Sequence, residues 1–547
     1  MARAKDTNAR VTRWFPTLQD FHFTVEHRAR TANSNANGLS RLCRDVHRRC
    51  VCEVIQTHTP CTMDKTTGCT WLSPVSDQVG VPLDQVNFIA CQVFGLALAF
   101  WFRLFLSPQR FTAEVRHAVA VIFGAAIAIF CFGWYAVHVF ILVLGCYGIL
   151  ISASVHNIHR YTLIASLGYL TLCQVSRAFI FDYGVLSTDF SGPLMMITQK
   201  VTILAFQVHD GMSRKQEELK DDQRRLAVHS RPSLLEYLSY NINFLSILVG
   251  PCCIYKDYIE FINGHHVQNR LKTVRDSQQN GWDKVPEPSP VRTVINKLLV
   301  CVCCVLWFFI ITKSFPIMYN VDPRFVSETS FVSRLAYALI SVQAARPKFY
   351  FAWTLADAVH NAAGFGVSGV NERGEVSWDL VSNVHIWETE TATSFKSFVD
   401  NWNIQTALWL KSVCYDRAPC YRMPLTFVLS SIWHGVYPGY YFTSITAIPI
   451  TLAARTVRRN FRQYFLFSRQ LKIFYDVVTW AATQMAICYT VMPFLLLAVE
   501  PTLQFYRSMY FHVHLISILA VLLLPSKPRG FKPERLERHS NNNVKED

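Results

Sequence analysis

The sequence is short of charge. Of its 547 residues only 17% are Asp, Glu, Lys or Arg, against about a quarter in ordinary soluble domains. It also lacks a Walker motif, a GxSxG elbow and an HExxH pair, which weighs against the common ATPase, serine hydrolase and zinc protease classes. The one CxxC spacing, Cys301 to Cys304, lies in an apolar run with no second pair, a poor zinc or redox candidate. No repeat of fixed period is visible. Residues 1–50 are polar and basic with no apolar signal-peptide core, so the first spanning segment is expected to act as its own insertion signal.

What the chain has instead is apolar surface. It is 51% hydrophobic and 14% aromatic. Its 17 cysteines are irregularly spaced, and several lie inside apolar runs. They read as small packing residues rather than a disulfide framework. The formal charge of +15 is expected on loops facing anionic lipid or anionic ligands.

A membrane-spanning helix needs about 20 mostly apolar residues. Candidate spans are Val86–Leu106, Val115–Gly133, Tyr135–Ser154, Tyr161–Phe181, Pro193–Val208, Leu234–Ile254 and Val294–Thr312. Phe331–Val342 and Phe349–Phe365 are shorter and more polar, fitting tilted or re-entrant segments. Met423–Leu452, Val477–Val499 and Phe511–Leu524 complete the set. The pattern predicts an all-α polytopic membrane protein with roughly eleven to thirteen embedded helices. Between spans, the mixed charges of RKQEELKDDQRR within His209–Pro232 suit a short solvated helix.

Within this apolar chain the stretch SSIWHGVYPGYYF, Ser430–Phe442, carries one imidazole, His434. Ionisable groups at membrane depth are costly and mark functional sites. Gly435, Pro438 and Gly439 around it loosen the helix and allow close approach. A bent helix presenting His434 reads as a site. Asn403, in NWNIQTALWLKSVCYDR, offers two donors and an acceptor; its plainer role is a helix N-cap.

Asn401-Trp402-Asn403-Ile404 followed by Trp433-His434-Gly435 resembles the two signature sites of the membrane-bound O-acyltransferase (MBOAT) family. PLDQVNF at Pro82–Phe88, TDFSGPLM at Thr188–Met195, LAFQVHDG at Leu204–Gly211, KFYFAWTLADA at Lys348–Ala358 and WHGVYPGYYFT at Trp433–Thr443 resemble its lysophospholipid acyltransferase branch. The likeness covers about Gly68 to Pro528 and divides the chain into 1–67, an acyltransferase domain 68–528, and a polar tail 529–547 expected to be disordered.

The resemblance implies an MBOAT fold of roughly 11 transmembrane helices around a central catalytic chamber, in the endoplasmic reticulum membrane. It implies an acyl-CoA donor and a lysophospholipid acceptor, with lysophosphatidylethanolamine and lysophosphatidylserine used by the nearest subgroup. His434 would be the general base. Asn403 would donate to the oxyanion or contact the acceptor hydroxyl. No metal and no cofactor beyond the acyl-CoA co-substrate are called for. The CoA phosphates need cations, and Arg455, Arg458, Arg459 and Arg462 in TLAARTVRRNFRQYF supply them unless they only fix topology. Lys348 and Trp353 are candidates for lining the donor channel. Another acceptor within the family (lysophosphatidylcholine, a sterol, a diacylglycerol or a protein) is the alternative, and a transporter the more distant one.

Residues 1–67 do not share this likeness. Asn8–Leu42 resembles the end of a retroelement ribonuclease H region, but Asn37 stands where that family has a metal-binding Asp, and Asn is a poorer Mg²⁺ ligand. Neither a working nuclease nor a nucleic-acid partner is expected.

Overall fold

The computed structural model describes residues 68–180, 190–271, 288–370 and 375–525, all within one unit, Thr66–Asp547. The expectations for 1–67 and for the 529–547 tail lie outside the described residues.

The described chain is mostly helical. Its one small sheet pairs Gly369–Val370 with Val376–Ser377 antiparallel. Among the described residues four helical stretches are long and apolar enough to cross a membrane: Leu83–Phe105, Ala113–Ser152, Val291–Val321 and Arg469–Leu496. The bent pair Val499–Ser508 and His512–Leu523, at 72°, makes a fifth if it crosses as one span. Leu104, Phe105, Ile122, Ile129, Leu299, Val302, Leu306 and Ile310 are exposed on these helices, a belt of apolar side chains suited to lipid.

Several expected spans take a different form. Leu234–Ile254 is not one helix. Helix Leu234–Ile242 ends at Asn243, whose Nδ2 donates to the Ser239 and Tyr240 carbonyls while its Oδ1 accepts from the Ser246 amide at 3.1 Å and the Ser246 hydroxyl at 2.9 Å. An Asx side chain of this kind competes with the helix for backbone partners, and the buried apolar run continues without helix. The expected pair Val115–Gly133 and Tyr135–Ser154 forms as Ala113–Phe132 and Val137–Ser152, joined through a 3₁₀ turn at Gly133–Ala136. The charged loop after Ser213 contains the six-residue helix Asp221–Leu226.

Seven helices frame the central region: α1 (Ile158–Ile180), α2 (Ser191–Ser213), α3 (Pro347–Ala362), α4 (Ile404–Leu410), α5 (Arg422–His434), α6 (Pro438–Phe461) and α7 (Arg469–Leu496). α2 is the spine. Thr198, Gln199, Lys200, Thr202, Gln207 and Asp210 are all buried on it. Such a helix makes only a weak span by hydropathy, as expected for Pro193–Val208, and its neighbours satisfy many of its polar groups. Gln199 Nε2 donates to Thr406 Oγ1 at 2.9 Å, Trp409 Nε1 to Thr202 Oγ1 at 2.8 Å, and Trp433 Nε1 to the Met195 carbonyl at 2.9 Å. α2 therefore holds α4 and the end of α5 in register. Lys200 is enclosed by the Tyr240 carbonyl at 2.9 Å and the Ser246 hydroxyl.

Candidate active site

His434 is the last residue of α5. The helix cannot continue because Gly435 takes φ 139°, a region open to glycine and strained for other residues. A Cβ there would also lie 3.3 Å from the Tyr440 ring and 3.6 Å from the Gln174 side chain. α6 then starts at Pro438, with proline at its first position, where its missing N–H is not needed. The hydroxyls of Ser431 and Ser444, 2.6 Å apart, tie α5 to α6. At Gly439 the start of α6 rests directly on the end of α7: its amide donates to the Leu497 carbonyl at 2.8 Å, and a Cβ would sit 2.1 Å from the Pro493 carbonyl oxygen.

The half-buried imidazole lies in an aromatic box. Ring centroids of Trp433, Phe494 and Tyr440 are 4.6, 5.0 and 5.5 Å away. Neither ring nitrogen has a hydrogen-bond partner among the described residues. Gln174 of α1, only 5% exposed, donates to the Trp433 carbonyl at 3.1 Å. That satisfies one of the orphan carbonyls that every helix C-terminus leaves and fixes the backbone presenting His434.

Asn403 stands at the N-cap of α4 without capping it. Its backbone is left-handed, φ 52° and ψ 49°, whereas a capping residue sits in the extended region. Among non-glycine residues Asn tolerates this conformation best. Asn383 satisfies the helix amides instead: its carbonyl accepts from Ile404 N at 2.9 Å and its Oδ1 from Gln405 N at 3.0 Å. The half-buried Asn403 carboxamide makes no hydrogen bond among the described residues. Trp409 and Trp433, with centroids 5.7 Å apart, pack the helix that starts at Asn403 against the helix that ends at His434.

The other expected site residues divide. Trp353 lies edge-on to Trp402, 5.1 Å away, directly beside Asn403. Lys348, half-buried at the start of α3, has its ammonium 5.1 Å from the Phe349 ring, which itself packs on Trp402. Arg455, Arg458, Arg459 and Arg462 lie around the far end of α6, most of them exposed. At 1.5 Å per residue this is roughly 25–36 Å along the axis from Pro438.

A second cationic feature was not anticipated. A cavity of about 570 Å³ is lined by His159, Arg160, His209, Arg214, Lys220 and Arg417, together with Glu218 and Asp416. Arg417 grips Asp210 through two bonds of 2.9 and 2.6 Å, and Lys220 pairs with Asp416 at 3.0 Å. It lies beyond the far end of α4, about 20 Å from Asn403 by helical rise. Its contributors come from three distant parts of the chain. In the sequence, Arg214, Glu218 and Lys220 belong to the charged stretch RKQEELKDDQRR, which reads as a solvated helix and not as a cavity wall.

Comparison with known proteins bears directly on this geometry. The membrane-bound O-acyltransferase family matches residues 175–496, a span containing Asn403, His434 and the whole of α2 to α7. The chain belongs to that family. It is 57% identical over 471 residues to human membrane-bound glycerophospholipid O-acyltransferase 1, covering 86% of this chain and 95% of that protein. It is 53% identical over 466 residues to human membrane-bound glycerophospholipid O-acyltransferase 2, covering 84% and 89%. Lysophospholipid acyltransferase 6 of Drosophila melanogaster is 38% identical over 475 residues, 87% of this chain and 65% of that protein. The chain is thus a membrane-embedded O-acyltransferase.

Proposed function

We propose that this O-acyltransferase transfers a fatty acyl group, unsaturated and oleoyl-like, from acyl-CoA to the free hydroxyl of lysophosphatidylethanolamine and lysophosphatidylserine. The reaction belongs to phospholipid remodelling in the endoplasmic reticulum membrane. The observation that carries the reading is a pair of polar side chains with no hydrogen-bond partner among the described residues, His434 at the end of α5 and Asn403 at the start of α4, on helices that pack together through Trp409 and Trp433. The names of the relatives support the acceptor class. About eleven embedded helices would enclose the chamber. Polar, protein-buried ones such as α2 would join the strongly apolar spans.

The chemistry is direct acyl transfer. The acceptor oxygen attacks the thioester carbonyl carbon as His434 takes the hydroxyl proton. The carbonyl oxygen becomes an oxyanion, and the Asn403 amide N–H donates either to it or to the acceptor hydroxyl. The C–S bond then breaks, and the departing thiolate receives the proton from the imidazolium. The products are the diacyl phospholipid and free CoA. Among the described residues His434 has no carboxylate or backbone partner to restrain it, which leaves its ring open to a substrate hydroxyl. The box of Trp433, Tyr440 and Phe494 keeps water from the thioester.

For the CoA phosphates, the exposed Arg455–Arg462 patch and the cavity around Arg160, Arg214 and Arg417 both offer cations. Concavity favours the cavity, and α4 would lead from it to Asn403, with Lys348 and Trp353 beside the donor channel. The reading is tested by expressing the chain in membranes that lack endogenous activity and supplying oleoyl-CoA with lysophosphatidylethanolamine, lysophosphatidylserine or lysophosphatidylcholine. The first two are expected to be acylated by the wild type. His434→Ala should lose about 10²–10⁴-fold, the typical worth of a general base, at unchanged protein level. A variant retaining a tenth of wild-type kcat refutes the base assignment, and acylation of none of the three lipids refutes the acceptor class.

A further inference from the structure

We infer that Asn383 is a positioning residue for the reaction, holding Asn403 in the left-handed conformation that releases its carboxamide for substrate. The inference rests on the assignment of Asn403 to the reacting centre and goes beyond it.

Left to itself, an Asn just before a helix folds its side chain back to accept the second or third amide. The backbone here forbids that, and the strain has to be held by neighbours. Asn383 does so at two points, taking both the Ile404 and Gln405 amides. The contacts on either side reinforce it. Val384 forms an antiparallel bridge with Trp402. The His385 amide donates to the Asn401 carbonyl at 3.1 Å, and its ring Nδ1 meets Asn401 Oδ1 at 3.0 Å. Gln405 Nε2 donates back to the Leu380 and Ser382 carbonyls at 3.1 and 3.3 Å. Residues 380–385 thus form a strap laid along 401–405.

The strap is itself anchored. The Ser382 hydroxyl donates to Asp357 Oδ2 at 2.5 Å. Lys297 Nζ reaches that same carboxylate oxygen at 2.6 Å, Asn361 Oδ1 at 2.8 Å and the Trp378 carbonyl at 3.0 Å. Asp357, Asn361, Ser382 and Asn383 are all buried. A line of hydrogen bonds therefore runs from the ion pair between buried Asp357 of α3 and half-buried Lys297 of the Val291–Trp307 helix, through the strap, to the first turn of α4. Removing Oδ1 of Asn383 orphans the Gln405 amide. The natural replacement is the side chain of Asn403 at the N-cap position, which would have to abandon the left-handed state to supply it. Asn383 thus decides which of two uses the Asn403 carboxamide has: helix cap or substrate contact.

The test is a double-mutant cycle on the full chain in detergent or membranes, with turnover measured per mole of folded protein. Asn383→Ala is expected to lower kcat at least ten-fold, with the KM values for acyl-CoA and lysophospholipid within about two-fold of wild type. Displacement of a catalytic group by about 1 Å can cost that much or more. Asn383→Asp keeps an acceptor for the Gln405 amide at a helix N-terminus, where a carboxylate is favoured, and should recover most of kcat. In an Asn403→Gly background, Asn383→Ala should cost little more, because coupled residues are not additive. If Asn383→Ala does not accumulate, Asn383→Leu, which preserves volume but accepts no hydrogen bond, replaces it against Asn383→Asp. Equal kcat per folded molecule in the Asp and Leu or Ala variants, or full additivity with Asn403→Gly, overturns the inference. Failure of the underlying site assignment looks different: Asn403→Gly alone would then keep its turnover.

Discussion

Asn403 allows the backbone and side-chain contributions of one residue to be separated. At φ 52° an ordinary L-residue pays roughly 1–2 kcal/mol, whereas Asn and Asp are partly excused and Gly is not penalised. Because Asn383 caps the helix, Asn403→Gly, Asn403→Ala and Asn403→Asp all leave α4 capped. Stability should therefore follow backbone preference: Gly and Asp near wild type, Ala lower by about 1 kcal/mol. Turnover should not follow it. All three substitutions remove the amide N–H donors, and a lost oxyanion donor typically costs about 10²–10³ in kcat, ~2.7–4 kcal/mol. The assay is thermal unfolding by intrinsic fluorescence beside initial rates on the same preparations. The prediction is that the Gly and Ala variants share one kcat deficit while differing in melting temperature. If Asn403→Gly keeps more than a third of wild-type kcat, the carboxamide does not touch the reaction. If the kcat losses rank with the stability losses, the effect is conformational.

Two further predictions concern binding and organisation. Neutralising Arg160, Arg214 and Lys220 should raise KM for acyl-CoA more than KM for lysophospholipid, and the wild-type KM should rise with salt as counterions screen the pocket; a larger acyl-CoA effect from Arg458, Arg459 and Arg462 would move the donor site to the end of α6. Deleting residues 1–67 should leave turnover per inserted molecule unchanged, since the family match begins at residue 175 and the first candidate span at Leu83; loss of turnover in a correctly inserted 68–547 chain would assign that segment a part in the enzyme.

The chemistry of this chain was easier to read than its folding. His434 stood out because an imidazole flanked by Gly and Pro is unusual inside an apolar run, and those residues do break the helix at Gly435. Asn403 was recognisable as a polar group beside a helix start, but not its left-handed backbone. That depends on Asn383, twenty residues away, and on the register of a strap with no periodicity of its own. Leu234–Ile254 was misjudged because apolar composition reports burial and not helicity; Asn243 turns the chain where hydropathy continues smoothly. α2 shows the reverse. Its Gln199, Lys200 and Thr202 make it look like a weak span, whereas they bind α4 and the Tyr240–Ser246 segment. Pairings such as Lys297 with Asp357, 60 residues apart, leave no local signature.

The cysteines offer a readout of a different kind. Thirteen are free among the described residues, nine of them buried, and buried thiols in apolar surroundings are inert. The exposed pair are Cys303 and Cys420. Cys303 sits exposed on the apolar Val291–Trp307 helix, among side chains suited to lipid. Cys420 sits in the turn between Arg417 of the cationic cavity and the start of α5, where water-soluble reagents can reach it. In a 68–547 chain, without the cysteines of the first segment, Cys420 becomes a native address label. A thiol reagent that cannot cross the bilayer, applied to sealed vesicles of known orientation, marks the face of the membrane onto which that cavity opens. No residue needs to be introduced for that purpose.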